Sequence, residues 1–270
     1  MHAVGIDLAW SPNNATGIAV AVRTKAGWKL ETADTVRSND DILAFLEAAV
    51  GKEPAILAID APLVVPHHQT TRVGDRAIAS VFGPMKAAVY PATKNRLGSY
   101  GGRRIWDLVK DLEAAGYRHD CHMEPRVEAR QFFETYPHAA TVALFHLERI
   151  LSYKAKQDRP YAERWRAFRR LEAYLRSLGA FEPRLRGVDK HLEPQVSRLK
   201  GKALKGYEDR LDGILCAYIA AYYWTWGTER CAIFGSLEGG YIVTPMSPEV
   251  AKRIPDGSPV VTYTGKRGLS

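Results

Sequence analysis

Asp7 closes the apolar run Ala3-Val4-Gly5-Ile6, Asp60 closes Ala55-Ile56-Leu57-Ala58-Ile59, and Asp209 with Asp212 stands where a long apolar stretch begins. A carboxylate at the end of a hydrophobic strand costs desolvation free energy unless a cation shares its surroundings. One such residue serves as a turn cap. Several of them, spread along the chain and converging, define a site for a divalent metal ion. Glu134, in Phe133-Glu134-Thr135-Tyr136-Pro137, is a further candidate because Glu is disfavoured in a strand otherwise built of Phe and Tyr. It reads as a ligand, as a base, or as the partner of an arginine such as Arg104 or Arg130.

Each carboxylate has a competing structural reading. In a pleated strand Gly5, Asp7 and Ala9 share one face, and the small residues beside Asp7 leave room for a ligand above the sheet. A strand-end Asp bonding the following turn is the alternative. Asp60 falls at the carboxyl end of a strand, where ligands of α/β sheets gather, and Pro62 turns the chain away. Against this stands a plain Asp-Ala-Pro turn. Asp209 and Asp212 are three apart and share a helical face. Acidic residues in a first turn gain about 0.3–1 kcal/mol from the macrodipole without any further role. A cap needs one carboxylate, however, and Glu208, Asp209 and Asp212 supply three. Gly213, Cys216, Ala217 and Ala220 would let this helix lie close against a sheet.

The elements that must position these groups follow from hydrophobic period and turn chemistry. Residues 3–10, 16–23 and 28–36 read as strands, the first two joined through Ser11-Pro12-Asn13-Asn14. Ser38-Asn39-Asp40-Asp41 supplies cap chemistry for a helix to about residue 50. Residues 55–60 are uninterruptedly apolar, as in a strand covered on both faces. Further on come loops at Pro66-His67-His68 and 98–104, a helix over 105–115, a strand over 131–136 and a helix from Ala139. A basic helix over 159–178 and a basic linker or helix pair over 184–205 precede the strongest helix, 208–226. Short strands at 231–234 and 240–244 close the pattern. One domain over 1–246 is expected, with insertions at about 64–128 and 140–205 and an irregular tail over 247–270.

Composition narrows the setting. Apolar content of 46% and charged content of 25% over 270 residues are those of a globular protein. No apolar stretch is long enough to span a bilayer, and the three cysteines have no C-x-x-C spacing. These features favour a cytoplasmic protein with reduced thiols and no membrane partner. The formal charge of +8 mildly favours a polyanionic partner such as nucleic acid. The densest cations are Arg184, Arg186, Lys190, Arg198, Lys200, Lys202 and Lys205, which precede the acidic helix; the last four, Arg198, Lys200, Lys202 and Lys205, would lie where a phosphate backbone must pass. In the basic helix, Tyr161, Trp165, Phe168 and Leu175 recur at helical spacing and read as core, with Arg164, Arg166, Arg169 and Arg170 on a solvated face. His67, His68, His119 and His122 fall into no metal-ligand spacing.

Gly5-Ile6-Asp7, Ile59-Asp60-Ala61-Pro62, Glu134-Thr135-Tyr136-Pro137, Asp209-Arg210-Leu211-Asp212-Gly213 and Glu238-Gly239-Gly240-Tyr241-Ile242-Val243-Thr244-Pro245 together resemble the domain-of-unknown-function 429 family, in order, from residue 4 to about 245. That resemblance implies a ribonuclease-H-like α/β fold, with a mixed five-stranded sheet, flanking helices and two helical insertions. The D-x-x-D pattern is also similar to that of Holliday-junction resolvases. Asp60 stands where those have Glu, and Gly213 replaces an Ala common in the family's helix motif. The implied chemistry is phosphodiester hydrolysis by two Mg²⁺ or Mn²⁺ ions on Asp7, Asp60 and Asp212, with Asp209 and Glu134 as outer ligands or proton carriers. Oxygen-only ligands suit these hard ions and not zinc. Two other readings remain: a non-catalytic binding or scaffold module that retains the acidic pocket, and an actin-like nucleotide-binding protein. The latter would need a second glycine-rich phosphate loop, of which there is no clear copy.

Overall fold

The computed structural model describes residues 1–11 and 13–265. Pro12, in the first expected turn, and residues 266–270 of the expected tail lie outside the described residues. Strands β1 (His2–Asp7), β2 (Thr16–Thr24) and β3 (Gly27–Val36) form an antiparallel meander. Helix α1 (Asn39–Ala49) follows, started by a capping box. The Ser38 hydroxyl accepts the Asp41 N–H at 3.0 Å, and the Asp41 carboxylate accepts the Ser38 N–H at 2.9 Å. Strand β4 (Ala55–Ile59) then returns parallel to β1, and all five of its residues are buried.

The first insertion carries α2 (Val73–Phe82), α3 (Lys94–Ser99), α4 (Arg103–Ala114) and the two-residue strand β5 (Arg118–His119). Strand β6 (Arg130–Glu134) lies parallel to β4 and leads into α5 (Pro137–Leu144). The second insertion holds α6 (Tyr161–Ser177) and β7 (Leu185–Arg186). Helix α7 (Gly201–Trp226) is followed by β8 (Cys231–Ser236), β9 (Gly240–Pro245), α8 (Pro248–Ala251) and β10 (Val261–Thr262).

Among the described residues the main sheet has seven strands, not the five expected, in the order β5-β6-β4-β1-β2-β3-β7. Most of its pairings are parallel. The two additional strands are edge pairs of two residues each, contributed by the insertions and too short to leave a period in the sequence. Strands β8 and β9 form a separate three-stranded sheet with β10. It is tied to the main sheet where the Thr135 hydroxyl donates to the Val243 carbonyl at 2.8 Å.

Other expectations are corrected locally. The loop expected over 98–104 contains the end of α3 and the start of α4. The region after Pro245 is not irregular throughout, because Val250, Ala251 and Ile254 pack into the core of the second sheet. Helix α7 is buried on almost all sides, pressed on β1 and β2 and covered by the second insertion. Its approach is backbone to backbone: a Cβ on Gly5 would fall 2.0 Å from the Gly213 carbonyl oxygen, and one on Gly17 would fall 1.7 Å from that of Asp209. The space above Gly5 is therefore filled by a helix and is not room for a ligand.

Candidate active site

Strands β1 and β4 are in register through Ile6 and Ile59, and the Asp60 N–H donates to the Ile6 carbonyl at 2.8 Å. Asp7 and Asp60 therefore leave the carboxyl ends of adjacent parallel strands side by side, close enough to affect each other's charge. The close seating of α7 on Gly5 and Gly17 brings Asp209 and Asp212 to the same sheet end. Asp212 is fully buried, and consecutive residues of the loop before α6 hold both of its oxygens. The Tyr153 hydroxyl donates to Oδ1 at 2.7 Å, and the Lys154 ammonium stands 2.9 Å from Oδ2. Lys205 reaches back along α7 to Glu208 at 2.9 Å and Asp209 at 2.5 Å. Arg164 pairs with Glu208 at 3.3 Å. Oδ2 of Asp209 is buried without a hydrogen-bond partner.

The electrostatics follow from crowding of like charge away from water. Burial raises the Asp7 carboxyl well above the usual carboxylate range; Lys154 opposes this, and Asp212, Asp60 and Asp209 reinforce it. Burial likewise lifts Asp60 to about 6. Burial also pushes Asp212 up, but the Lys154 ammonium, with the Tyr153 hydroxyl, outweighs it and holds that carboxyl below the usual range. Burial alone would lower Lys154, yet Asp212, Asp7 and Asp60 raise it, so its ammonium stays charged.

Glu134 lines the same cavity as Asp7 and Asp60, but as one half of a buried ion pair. Its carboxylate takes a two-pronged pair from buried Arg72 (2.7 and 2.8 Å) and accepts the Leu63 N–H at 2.9 Å. Arg72 also binds Asp75 at 2.7 Å. The partner is thus neither Arg104 nor Arg130. Arg104 instead joins Asn39, the Ala9 carbonyl and the Thr16 hydroxyl, and Arg130 binds the Gly51 and Glu53 carbonyls. Glu134 fixes the turn that follows Asp60, and with its oxygens so occupied it stands as a support for the site.

A cavity of about 280 Å³ opens over Asp7 and Asp60. Lys154 and His138 line it on one side, and Trp10, Tyr90 and Tyr136 supply aromatic wall. Tyr90 is 77% exposed at its mouth. His138 is held neutral, its pKa lowered to about 3 by burial and by Lys154.

Of the basic cluster, Arg198, Lys200 and Lys202 are exposed, while Lys205 is engaged with the acidic helix. Arg164, expected on a solvated face, is buried and also donates to the Tyr153 carbonyl at 2.9 Å. Tyr161, expected in the core, is 38% exposed, and its ring stacks on Trp165 with the Lys200 ammonium 5.9 Å from each ring. Sequence reasoning missed Tyr153, Lys154, Arg72 and His138. The available signal was a Lys directly after an aromatic residue in a loop otherwise lacking pattern.

Asp7, Asp60, Asp209 and Asp212 offer only oxygen donors, which suits a hard divalent cation. Among the described residues, no three His, Cys, Asp or Glu side chains stand together as a ready metal-holding group. Lys154 is paired with Asp212 and Lys205 with Asp209, so two of the four aspartates already have a cation. The donor chemistry fits Mg²⁺ or Mn²⁺, with Asp7 and Asp60 as the carboxyls open to the cavity. No helix among the described residues is long and apolar enough to cross a membrane.

Fold and site define an α/β protein with an acidic pocket at the carboxyl end of its central strands. The model of the family described as "Protein of unknown function (DUF429)" matches residues 5–235, and the chain belongs to that family. No curated protein and no solved structure matches it.

Proposed function

We propose that this protein is a metal-dependent phosphodiester hydrolase of ribonuclease-H-like fold that acts on nucleic acid. The observation that carries the reading is the convergence of Asp7, Asp60, Asp209 and Asp212 at one sheet end, with Asp7 and Asp60 destabilised as bare carboxylates. Such a site gains free energy when a cation enters, since the metal favours the ionised forms that burial penalises. A bound Mg²⁺ or Mn²⁺ would supply Lewis-acid stabilisation of a phosphoryl oxygen and a more acidic water. Asp7, central among the carboxyls, and Asp60 would hold the ion. Lys154, charged and 31% exposed, offers a positive group to phosphate at the cavity floor. Trp10 and Tyr90 offer faces on which one unpaired base can stack. The cavity, about 280 Å³, is of the order of one nucleotide's volume, which favours single strands or strand ends.

The test is cleavage of single-stranded, duplex, hybrid and junction oligonucleotides in Mg²⁺ and Mn²⁺ by wild type and by Asp7→Asn. Cutting by the wild type alone is expected. Equal cutting by both would remove Asp7 from the chemistry. One observation favours a second reading: Lys154 and Lys205 already neutralise part of the cluster, as suits a non-catalytic binding module. Saturable oligonucleotide binding without turnover on any substrate would select that reading.

A further inference from the structure

The carboxylates are unequally supplied with countercharge. Asp212 is held at both oxygens by Tyr153 and Lys154, at 2.7 and 2.9 Å. Asp209 and Glu208 share Lys205, and Glu208 also has Arg164. Asp7 and Asp60 have no ion-pair partner among the described residues. Of these five acidic groups, the two without an ion pair are the adjacent Asp7 and Asp60 at the ends of β1 and β4. Lys154 is not a casual surface contact. Tyr153 beside it is 1% exposed, its ring packs on Phe168 and His138, and its carbonyl accepts the Arg164 Nε–H at 2.9 Å. That anchored neighbour fixes the backbone from which the ammonium enters the cluster. Asp209 Oδ2 and Asp212 Oδ2 are both buried without a hydrogen bond, and what meets the Asp212 oxygen is the Lys154 ammonium, as an ion pair at 2.9 Å.

From this arrangement we infer that the centre takes one divalent cation, on Asp7 and Asp60, and that the Lys154 ammonium on Asp212 stands in the place of a second. The inference rests on the metal-dependent reading above and replaces the two-ion arrangement expected from sequence. Asp212 then serves as the seat of a fixed positive charge and not as a metal ligand. The fixed cation keeps its charge on the substrate's side of the pocket whatever the metal concentration. Loading is therefore first-order in metal.

The test is the stoichiometry of Mn²⁺ bound to the full chain, by calorimetry and by the loss of free-Mn²⁺ electron paramagnetic resonance signal, for wild type, Lys154→Met and Lys154→Gln. One ion per wild-type chain and two per chain in a folded Lys154 variant is the expected result. Two ions in the wild type would overturn the inference and leave the metal-dependent reading standing. One ion in both the wild type and the Lys154 variants would show that the ammonium occupies no metal position, and would equally overturn it. No bound Mn²⁺ in the wild type would bring down the metal-dependent reading together with the inference. Thermal melting of each variant in EDTA establishes that it is folded, and the wild-type stoichiometry needs no variant at all.

Discussion

At the scale of single residues, the protein keeps four aspartates within mutual reach and tolerates the repulsion only with lysines among them. Asp7 bears most of the strain, since burial and three neighbouring carboxyls all oppose its charge. Asp7→Asn should therefore abolish cleavage while thermal stability in EDTA holds or rises. A loss above about 2 kcal/mol by chemical denaturation would make Asp7 a structural residue instead. His138 gives a pH prediction of defined sign. Its folded pKa, about 3, lies below the ordinary value of 6.5, so the unfolded chain binds the extra proton. Its contribution is fully present above pH 6.5 and is lost as pH falls from there toward 3. Between pH 7.5 and 5.5 the wild type should lose about 1.3 kcal/mol more stability than His138→Asn, measured by urea titration at both pH values. Equal losses would show that His138 titrates in the fold as it does in the unfolded chain. The aspartates were legible in the sequence because a charge ending an apolar run conflicts with its surroundings. Lys154 was not, because its one local signal, a lysine directly after Tyr153, is set in a loop with no period that would mark it as buried.

Among the elements, the decisive contact is that of α7 on β1 and β2, since it alone brings residues two hundred positions apart to one sheet end. Gly17 is where the backbones come nearest, and a methyl there meets the Asp209 carbonyl and not a side chain that could swing aside. Gly17→Ala should cost about 3 kcal/mol or more, with Asp209 and Asp212 displaced and Mn²⁺ affinity lowered in whatever fraction folds. Calorimetric melting with and without Mn²⁺ measures both effects, and a neutral substitution would mean that α7 sits farther out. The strands of the meander, β4, β6 and the long helix from Glu208 onward were readable because each carries its own period or an unbroken apolar run, whereas the helix's start at Gly201, which puts Asp209 and Asp212 past its first turn, was hidden in the basic segment. The capping box at Ser38 was readable from local chemistry. Strands β5 and β7 were not, because two residues acquire strand geometry from the neighbour they pair with and not from their own sequence. The helix α3 was likewise hidden by its Asn, Gly and Ser content.

For the whole molecule, Arg72 joins the parts that the insertions would otherwise leave loose. It binds Asp75 of α2, Glu134 of β6 and the Val64 carbonyl, and its side chain lies against Gly240 of the second sheet. Arg72→Met would leave two buried carboxylates without a cation and should cost about 3–5 kcal/mol by denaturant unfolding. A smaller loss would mean that water reaches the pair. The distribution of the net charge of +8 supplies the last test. Arg198, Lys200 and Lys202 are exposed just before and at the start of α7, whereas Lys205, its side chain 52% exposed, has its ammonium paired with Glu208 and Asp209. The outer three are therefore the ones free to neutralise phosphates. For a single strand, each contact contributes a slope of about −0.7 in log binding constant against log salt. Replacing Arg198, Lys200 and Lys202 by Ser should therefore reduce the slope by about 2 while melting temperature holds, as read by fluorescence anisotropy of a labelled oligonucleotide in Ca²⁺. Lys205→Ser should do the reverse, lowering stability through the acidic helix and leaving the slope unchanged. A slope that follows Lys205 and ignores the outer three would place the strand across the acidic helix itself and remove the basic segment from the path of the substrate.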